Sequence, residues 1–207
     1  EETWIQDEID RLAYELMEAY NQKEAIVYNT YQMYRHDALK NMQRSYDRLS
    51  GKGLFFGAKV VRGAYMEKES ARAADLSYQD PIHPSKEATD ADYNEALNFA
   101  LNHIDRFRLC AGTHNEFSSA YLAERFDELE IDKNDPRIFF AQLLGMSDNI
   151  SFKLSDMGFN VAKYVPYGPV KKVLPYLFRR ADENTSIAGQ SGRELTLIKK
   201  EMQRRRQ

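Results

Sequence analysis

The sequence has little cysteine and proline, no long apolar run, and no excess of either charge. Its only cysteine, Cys110, excludes an intramolecular disulfide and fits a reducing compartment. No apolar stretch is long enough to cross a bilayer, so any membrane contact is expected to be peripheral. The 29 basic and 32 acidic residues nearly balance and are spread along the chain. Nucleic acid is therefore not an expected partner.

The chain does have apolar runs that recur between segments of helical periodicity. Hydrophobic residues make up 43% of its 207 residues, enough to bury the core of one large domain. Five nearly continuous apolar runs predict parallel strands that are covered on both faces: 25–31, 55–65, 108–114, 137–145 and 160–168. Strand followed by helix is typical of an α/β fold. No glycine-rich dinucleotide turn follows the first run, which favours a (β/α)8 TIM-like barrel over an open sheet.

Five strands are too few for such a barrel, which needs eight. We therefore expect residues 1–207 to be the C-terminal portion of a barrel domain that lacks its first strands. The remainder is either a separate chain or lies outside this sequence. Residues 66–90 are expected to combine a short helix with a lid-like, proline-containing segment over the barrel mouth.

Polar residues stand where each predicted strand ends, and active sites of these barrels lie at that end. The run "GAKVVRGAYM" carries Lys59 and Arg62 within an apolar strand. These cations either serve a site or extend along apolar surface to reach water. The histidines lack the spacing of metal ligands, so no metal site is expected.

The helix predicted after the last strand carries a second group of polar residues. Tyr176, Arg179, Arg180 and Glu183 are spaced to share one helical face. Two adjacent guanidinium groups suit a carboxylate ligand. The alternative is a solvated face held by Arg/Glu pairs.

The strings "KVVRGAYMEKE", "THNE", "AQLLGM", "YVPYGPV" and "PYLFRRADEN" together resemble the proline dehydrogenase family, in its monofunctional branch. The resemblance covers essentially the whole chain. It implies a distorted β/α barrel that holds FAD, with an extra C-terminal helix crossing over the substrate pocket. It also implies that an acidic residue and a lysine of the family's site belong to preceding strands that this sequence does not contain.

The resemblance assigns roles residue by residue. Lys59 falls beside the flavin N5 atom, Arg62 suits the phosphate-bearing tail of the cofactor, and Gly63 with Ala64 allows close backbone approach. The implied carboxylate clamp is Arg179 with Arg180, counted with Lys59 as catalytic. The implied substrate box is Val60, Tyr65, Tyr164 and Tyr176. Further implied cofactor contacts are Asn29, Val61, Thr113, His114, Asn115, Gln142 and Glu183.

The implied activity is oxidation of L-proline to pyrroline-5-carboxylate by hydride transfer to FAD, with electrons passed on to a quinone. The implied location is the bacterial cytoplasm at the inner membrane, or the mitochondrial inner membrane or matrix. Two alternatives stay open: a barrel half that needs a complementary N-terminal segment or chain for activity, and a related enzyme acting on hydroxyproline.

Overall fold

The computed structural model describes residues 2–186 and 190–206, without the side chains of residues 179–195 and 197. Strands and helices follow one another along it. The strands are β1 (Asn29–Gln32), β2 (Phe56–Val61), β3 (Phe107–Gly112), β4 (Ile138–Leu143) and β5 (Val161–Tyr164). The helices are α1 (Gln6–Tyr20), α2 (Ala38–Ser50), α3 (Met66–Asp75), α4 (Lys86–Asn102), α5 (Glu116–Glu128), α6 (Asp148–Asp156), α7 (Val170–Ser186) and α8 (Gln190–Arg204). No helix of the described residues combines the length and apolarity needed to cross a membrane.

The strands form one parallel sheet in which neighbours in sequence are neighbours in space, in the order β1-β2-β3-β4-β5. Lys59 of β2 pairs with Thr30 of β1 on one side and Cys110 of β3 on the other. This confirms the predicted α/β class and all five predicted strands. Because every strand points the same way, their carboxyl ends meet at one edge of the sheet.

The first strand begins later than the apolar run that predicted it. The buried side chain of Asn21 accepts hydrogen bonds from the backbone N–H groups of Ile26 and Val27, at 2.9 and 2.8 Å. Its amide also donates to the Val27 carbonyl at 2.9 Å. These bonds replace strand pairing, so residues 25–28 form a loop and β1 starts at Asn29.

The two faces of the sheet differ. Phe56, Ala58 and Val60 of β2 are fully buried in the core between the sheet and its helices. Lys59 and Val61 alternate with them and lie on the opposite face, which borders a cavity. The pleat of β2 therefore decides which of its residues are available to a ligand.

The segment after β2 contains the expected short helix, α3, followed by a loop that packs beside the sheet. The backbone N–H of His36 donates to the Pro81 carbonyl at 3.1 Å, and that of His83 donates to the Tyr34 carbonyl at 2.7 Å. Ile82 forms an antiparallel bridge with Arg35. These backbone hydrogen bonds hold the proline-containing loop beside the sheet. None of residues 76–85 lines the cavity.

Candidate functional site

A cavity of about 1040 Å³ opens at the carboxyl ends of the strands, on the face of the sheet away from the core. Strands β1, β2 and β4 each contribute at least two residues to this cavity, and β3 and β5 contribute one each. Residues of α1, α4, α5 and α7 complete its walls. Predicted site residues that line it are Asn29, Lys59, Val61, Arg62, Gly63, Ala64, Thr113, His114, Asn115, Gln142, Tyr164 and Tyr176. The structure therefore brings together side chains that lie as far apart in the sequence as Asn29 and Tyr176.

An amine and two aromatic rings meet inside this cavity. The Lys59 Nζ atom lies 5.5 Å from the centroid of the Tyr164 ring. That ring in turn packs edge-to-face against Tyr176 of α7, with centroids 6.1 Å apart. A cation held beside aromatic rings suits a small ligand that combines an apolar body with a negative or electron-accepting group.

Short side chains form the floor of the cavity next to Lys59. Val61, Gly112 and Ala141 lie there. A Cβ atom added to Gly112 would come within 2.9 Å of Val61 Cγ1 and 3.4 Å of Lys59 Cε. Glycine at this position therefore keeps the floor low, which leaves room for a flat ring system.

Glycine is required at position 63 because of its backbone conformation and the neighbouring Tyr34 ring. Its φ of +125° is a conformation that only glycine adopts readily, and an added Cβ would lie 2.5 Å from ring atoms of Tyr34. Tyr34 is buried and has no room to retreat. The chain after β2 consequently turns tightly against Tyr34 and brings the Gly63 and Ala64 backbone to the cavity wall.

Arg62 is fixed by neighbours from three elements. Its Nε donates to Asp90 Oδ1 at 2.6 Å, its Nη1 to Thr113 Oγ1 at 2.9 Å, and its Nη2 to Ser118 Oγ at 2.8 Å. The guanidinium stands 4.3 Å from the centroid of the Tyr93 ring. Burial raises the pKa of the Tyr93 hydroxyl well above its usual range, so this ring presents a neutral face to the cation.

Comparison with known proteins decides the family. The family model described as "Proline dehydrogenase" matches residues 1–193. The chain belongs to the proline dehydrogenase family. It is 43% identical over 208 residues to human mitochondrial proline dehydrogenase 1, covering 99% of this chain and 35% of that protein. It is 39% identical to hydroxyproline dehydrogenase of Xenopus laevis, covering 99% of this chain and 45% of that protein.

A solved structure extends this likeness to the fold. Proline utilization A from Bdellovibrio bacteriovorus, inactivated by N-propargylglycine, superposes with a TM-score of 0.84 at 25% identity, over 91% of this chain and 20% of that one. The chain spans 20% to 45% of the length of these relatives. Family membership and the α/β barrel-type fold are therefore established for this chain.

The remaining polar residues that the family resemblance singled out already have partners within the protein. The Asn29 amide donates to Asp10 at 2.7 Å, and the Gln142 amide donates to the Thr113 carbonyl at 3.3 Å while its oxygen accepts from Ser151 at 2.9 Å. These bonds hold the two amides in place at the cavity wall.

His114 and Asn115 lie together where β3 leads into α5. His114 Nδ1 lies 3.0 Å from Ser147 Oγ, and Ser147 has a positive φ of 51° in front of α6. The Asn115 side chain caps α5 by accepting from Ser118 N at 3.1 Å. The cap orders the first turn of α5, so the strand end and the helix start are held as one unit.

Two substrate contacts expected from the resemblance are not placed at the cavity. Val60 is fully buried in the core, because the pleat of β2 turns it away from the face that carries Lys59 and Val61. Tyr65 precedes α3, and its ring lies 5.0 Å from Lys68 Nζ, outside the cavity wall that the described residues form. The buried position of Val60 does not fit its expected contact with substrate, and the expected role of Tyr65 stays a prediction. The side chains of Arg179, Arg180 and Glu183 lie outside the described residues, so their expected roles stay predictions.

Sequence reasoning missed the acidic partner of Arg62 and the wall of the cavity that α1 forms. Asp90 lies 28 residues from Arg62 in the chain, and no local pattern links them. Ile5, Ile9, Leu12 and Leu16 of the α1 region line the opposite wall. The helical spacing of Ile9, Leu12 and Leu16 was a usable signal, because a second apolar stripe beside Ala13 and Met17 exceeds what the core needs.

Proposed function

We propose that the protein oxidises L-proline to pyrroline-5-carboxylate, with FAD as the hydride acceptor and a quinone as the onward electron acceptor. The observation that supports this best is the Lys59 amine beside Tyr164 and Tyr176, over a floor of short side chains at the carboxyl end of the sheet. Relatives named proline dehydrogenase and hydroxyproline dehydrogenase share this part of the chain at about 40% identity.

The residues around the cavity fit a flavin dinucleotide. The low floor at Gly112 suits a flat ring, and a Cβ there would crowd the side chains of Val61 and Lys59 that line the same cavity. Lys59 and Val61 would lie beside the ring, while Arg62, Gly63 and Ala64 would face the phosphate-bearing part. The flavin supplies a two-electron acceptor when it is bound. The protein would supply placement and charge, and Lys59 would hold a cation beside the ring that accepts the electrons.

The substrate side of the cavity suits a small cyclic amino acid. Tyr164 and Tyr176 present aromatic surface to an apolar ring. The carboxylate clamp assigned to Arg179 and Arg180 rests on the sequence pattern, in which two guanidinium groups follow Tyr176 on α7. Together these groups would orient the substrate ring carbon toward the flavin and exclude water from it.

Hydroxyproline is a second candidate substrate, because one relative at 39% identity is named hydroxyproline dehydrogenase. The two substrates differ by one hydroxyl group. A site that pairs this hydroxyl prefers hydroxyproline, whereas an apolar lining discriminates only weakly between them.

The test is anaerobic mixing of the flavin-loaded, full-length protein with L-proline, with hydroxyproline, and with an acid too large for the cavity. Loss of the oxidised flavin absorbance with L-proline, and none with the large acid, is the expected result. Faster bleaching by hydroxyproline would favour the second candidate. If the protein binds flavin but neither amino acid lowers the absorbance of the oxidised flavin, the proposed reaction is refuted.

We also propose that an N-terminal segment or chain completes the barrel. Among the described residues β1 pairs only with β2, and Ile9, Leu12 and Leu16 of α1, which line the cavity, are 40% to 50% exposed. Flavin affinity should rise when the complementary segment is added to this chain. Relatives from eukaryotes are named mitochondrial, and a mitochondrial or bacterial inner-membrane location with peripheral contact would bring the protein to its quinone.

A further inference from the structure

Behind the cavity wall, one carboxylate joins two cations that line it. Asp90 Oδ1 accepts from Arg62 Nε at 2.6 Å, and its Oδ2 accepts from Lys86 Nζ at 2.5 Å. Arg62 and Lys86 both line the cavity, whereas Asp90 does not. Asp90 therefore acts on the cavity only through the two cations.

The two cations differ in how firmly they are held. The Arg62 side chain is only 20% exposed and also donates hydrogen bonds to Thr113 and Ser118, so its guanidinium group is held in one orientation. Those bonds leave one further N–H on each terminal nitrogen of the guanidinium. Lys86 is 63% exposed at the start of α4, and Asp90, one helical turn later, is its single partner within the described part of the chain. Asp90 is thus what keeps the Lys86 amine close to Arg62.

The chemistry of this arrangement requires a carboxylate. Burial opposes the charge of Asp90, but hydrogen bonds from Lys86 and Arg62 outweigh it and hold the pKa of this carboxyl below its usual range. An ionised carboxylate offers acceptors on both oxygens. An amide in the same place has one acceptor oxygen and an NH2 group that only donates, so its nitrogen would face one of the two cations without accepting a hydrogen bond from it.

We propose that Asp90 is a positioning residue that holds Lys86 beside Arg62, so that the pair binds the phosphate groups of a dinucleotide cofactor. Neighbouring cations with fixed spacing bind phosphate oxygens by charge-assisted hydrogen bonds. The proposal rests on the proposed function, since it requires that the cofactor carry phosphates.

The test compares the affinity of the full-length apoprotein for FAD and for riboflavin, which has the same ring and no phosphate. Asp90→Asn should weaken FAD binding by about tenfold, the lower range for loss of an orienting partner at metal sites, and leave riboflavin binding unchanged. Charge alone predicts the opposite sign, because removing an anion near a phosphate site should tighten FAD binding. The direction of the change therefore separates positioning from simple electrostatics.

Two further variants complete the design. Glu87→Gln removes the same charge from the same turn of α4, at an exposed residue with no ion pair among the described residues, and should not weaken FAD binding. Lys86→Met, at an exposed position, should weaken FAD binding without affecting riboflavin even if Asp90→Asn folds poorly. Equal or tighter FAD binding by Asp90→Asn would overturn this inference alone. Failure of the unaltered protein to bind either flavin would overturn the proposed function as well.

Discussion

Substitution of Gly63 by alanine tests the close contact between the cavity wall and Tyr34. The new Cβ would lie 2.5 Å from Tyr34 ring atoms, about 1 Å inside ordinary carbon contact. Tyr34 is 2% exposed, so its ring can move only by displacing the core. Overpacking of this kind costs roughly 1–3 kcal/mol. The φ of +125° adds strain of about 1–3 kcal/mol for any residue with a Cβ.

We therefore expect Gly63→Ala to lower the free energy of unfolding by roughly 2–6 kcal/mol, a large part of the stability of an ordinary domain. Urea unfolding of the full-length protein, followed by circular dichroism, measures this directly. Gly53→Ala is the matched control. Gly53 also has a positive φ, +74°, but nothing lies within 4 Å of its added Cβ.

The control should show the cost of backbone strain without a clash, about 1 kcal/mol. Gly112→Ala supplies the reverse case, a Cβ contact of 2.9 Å without a positive φ. Of the three substitutions, Gly63→Ala should lower the free energy of unfolding the most. If Gly63→Ala costs no more than Gly53→Ala, the Tyr34 ring does not pack closely against Gly63.

Three further predictions concern charge and local structure. If Lys59 lies about 5 Å from the flavin ring, as its proposed role requires, Lys59→Met should lower the flavin midpoint potential by about 70 mV, because a unit charge at that distance and an effective dielectric of about 20 contributes ~3 kcal/mol; an unchanged potential in an anaerobic redox titration would refute that role. Asn21→Ala should lower the free energy of unfolding by about 2–4 kcal/mol, since it removes three hydrogen bonds between the Asn21 side chain and the backbone of Ile26 and Val27, each worth about 1 kcal/mol. A loss below about 1 kcal/mol in urea unfolding would contradict that account. The hydrogen bonds from Arg137 lower the pKa of Asp135, so their stabilisation is present above the unfolded pKa of about 3.9 and is lost as pH falls through the folded value. Asp135→Asn should therefore be less stable than the unaltered protein by about 1 kcal/mol at pH 7, and this difference should shrink as the pH falls below the unfolded pKa of about 3.9; a pH-independent difference would argue against the ion pair.

The five strands were predictable because each is a local feature. A short, nearly continuous apolar run with β-branched and aromatic residues is typical of a buried parallel strand whatever surrounds it. The strand-then-helix alternation predicted the α/β class for the same reason. Residues at the strand ends, such as Lys59 and Gln142, were predictable as cavity residues because parallel strands end at one edge.

Local sequence alone determined which segments are strands and helices, and the family motifs determined which polar residues gather at their ends. Strand alternation already puts Val60 on the face opposite Lys59 and Val61, but only the tertiary structure decided which of these two faces packs against the helices and which borders the cavity. The pairing of Asp90 with Arg62 was likewise decided by the docking of α4 against the sheet. A contact across 28 residues depends on how elements pack, which no local pattern of residues encodes.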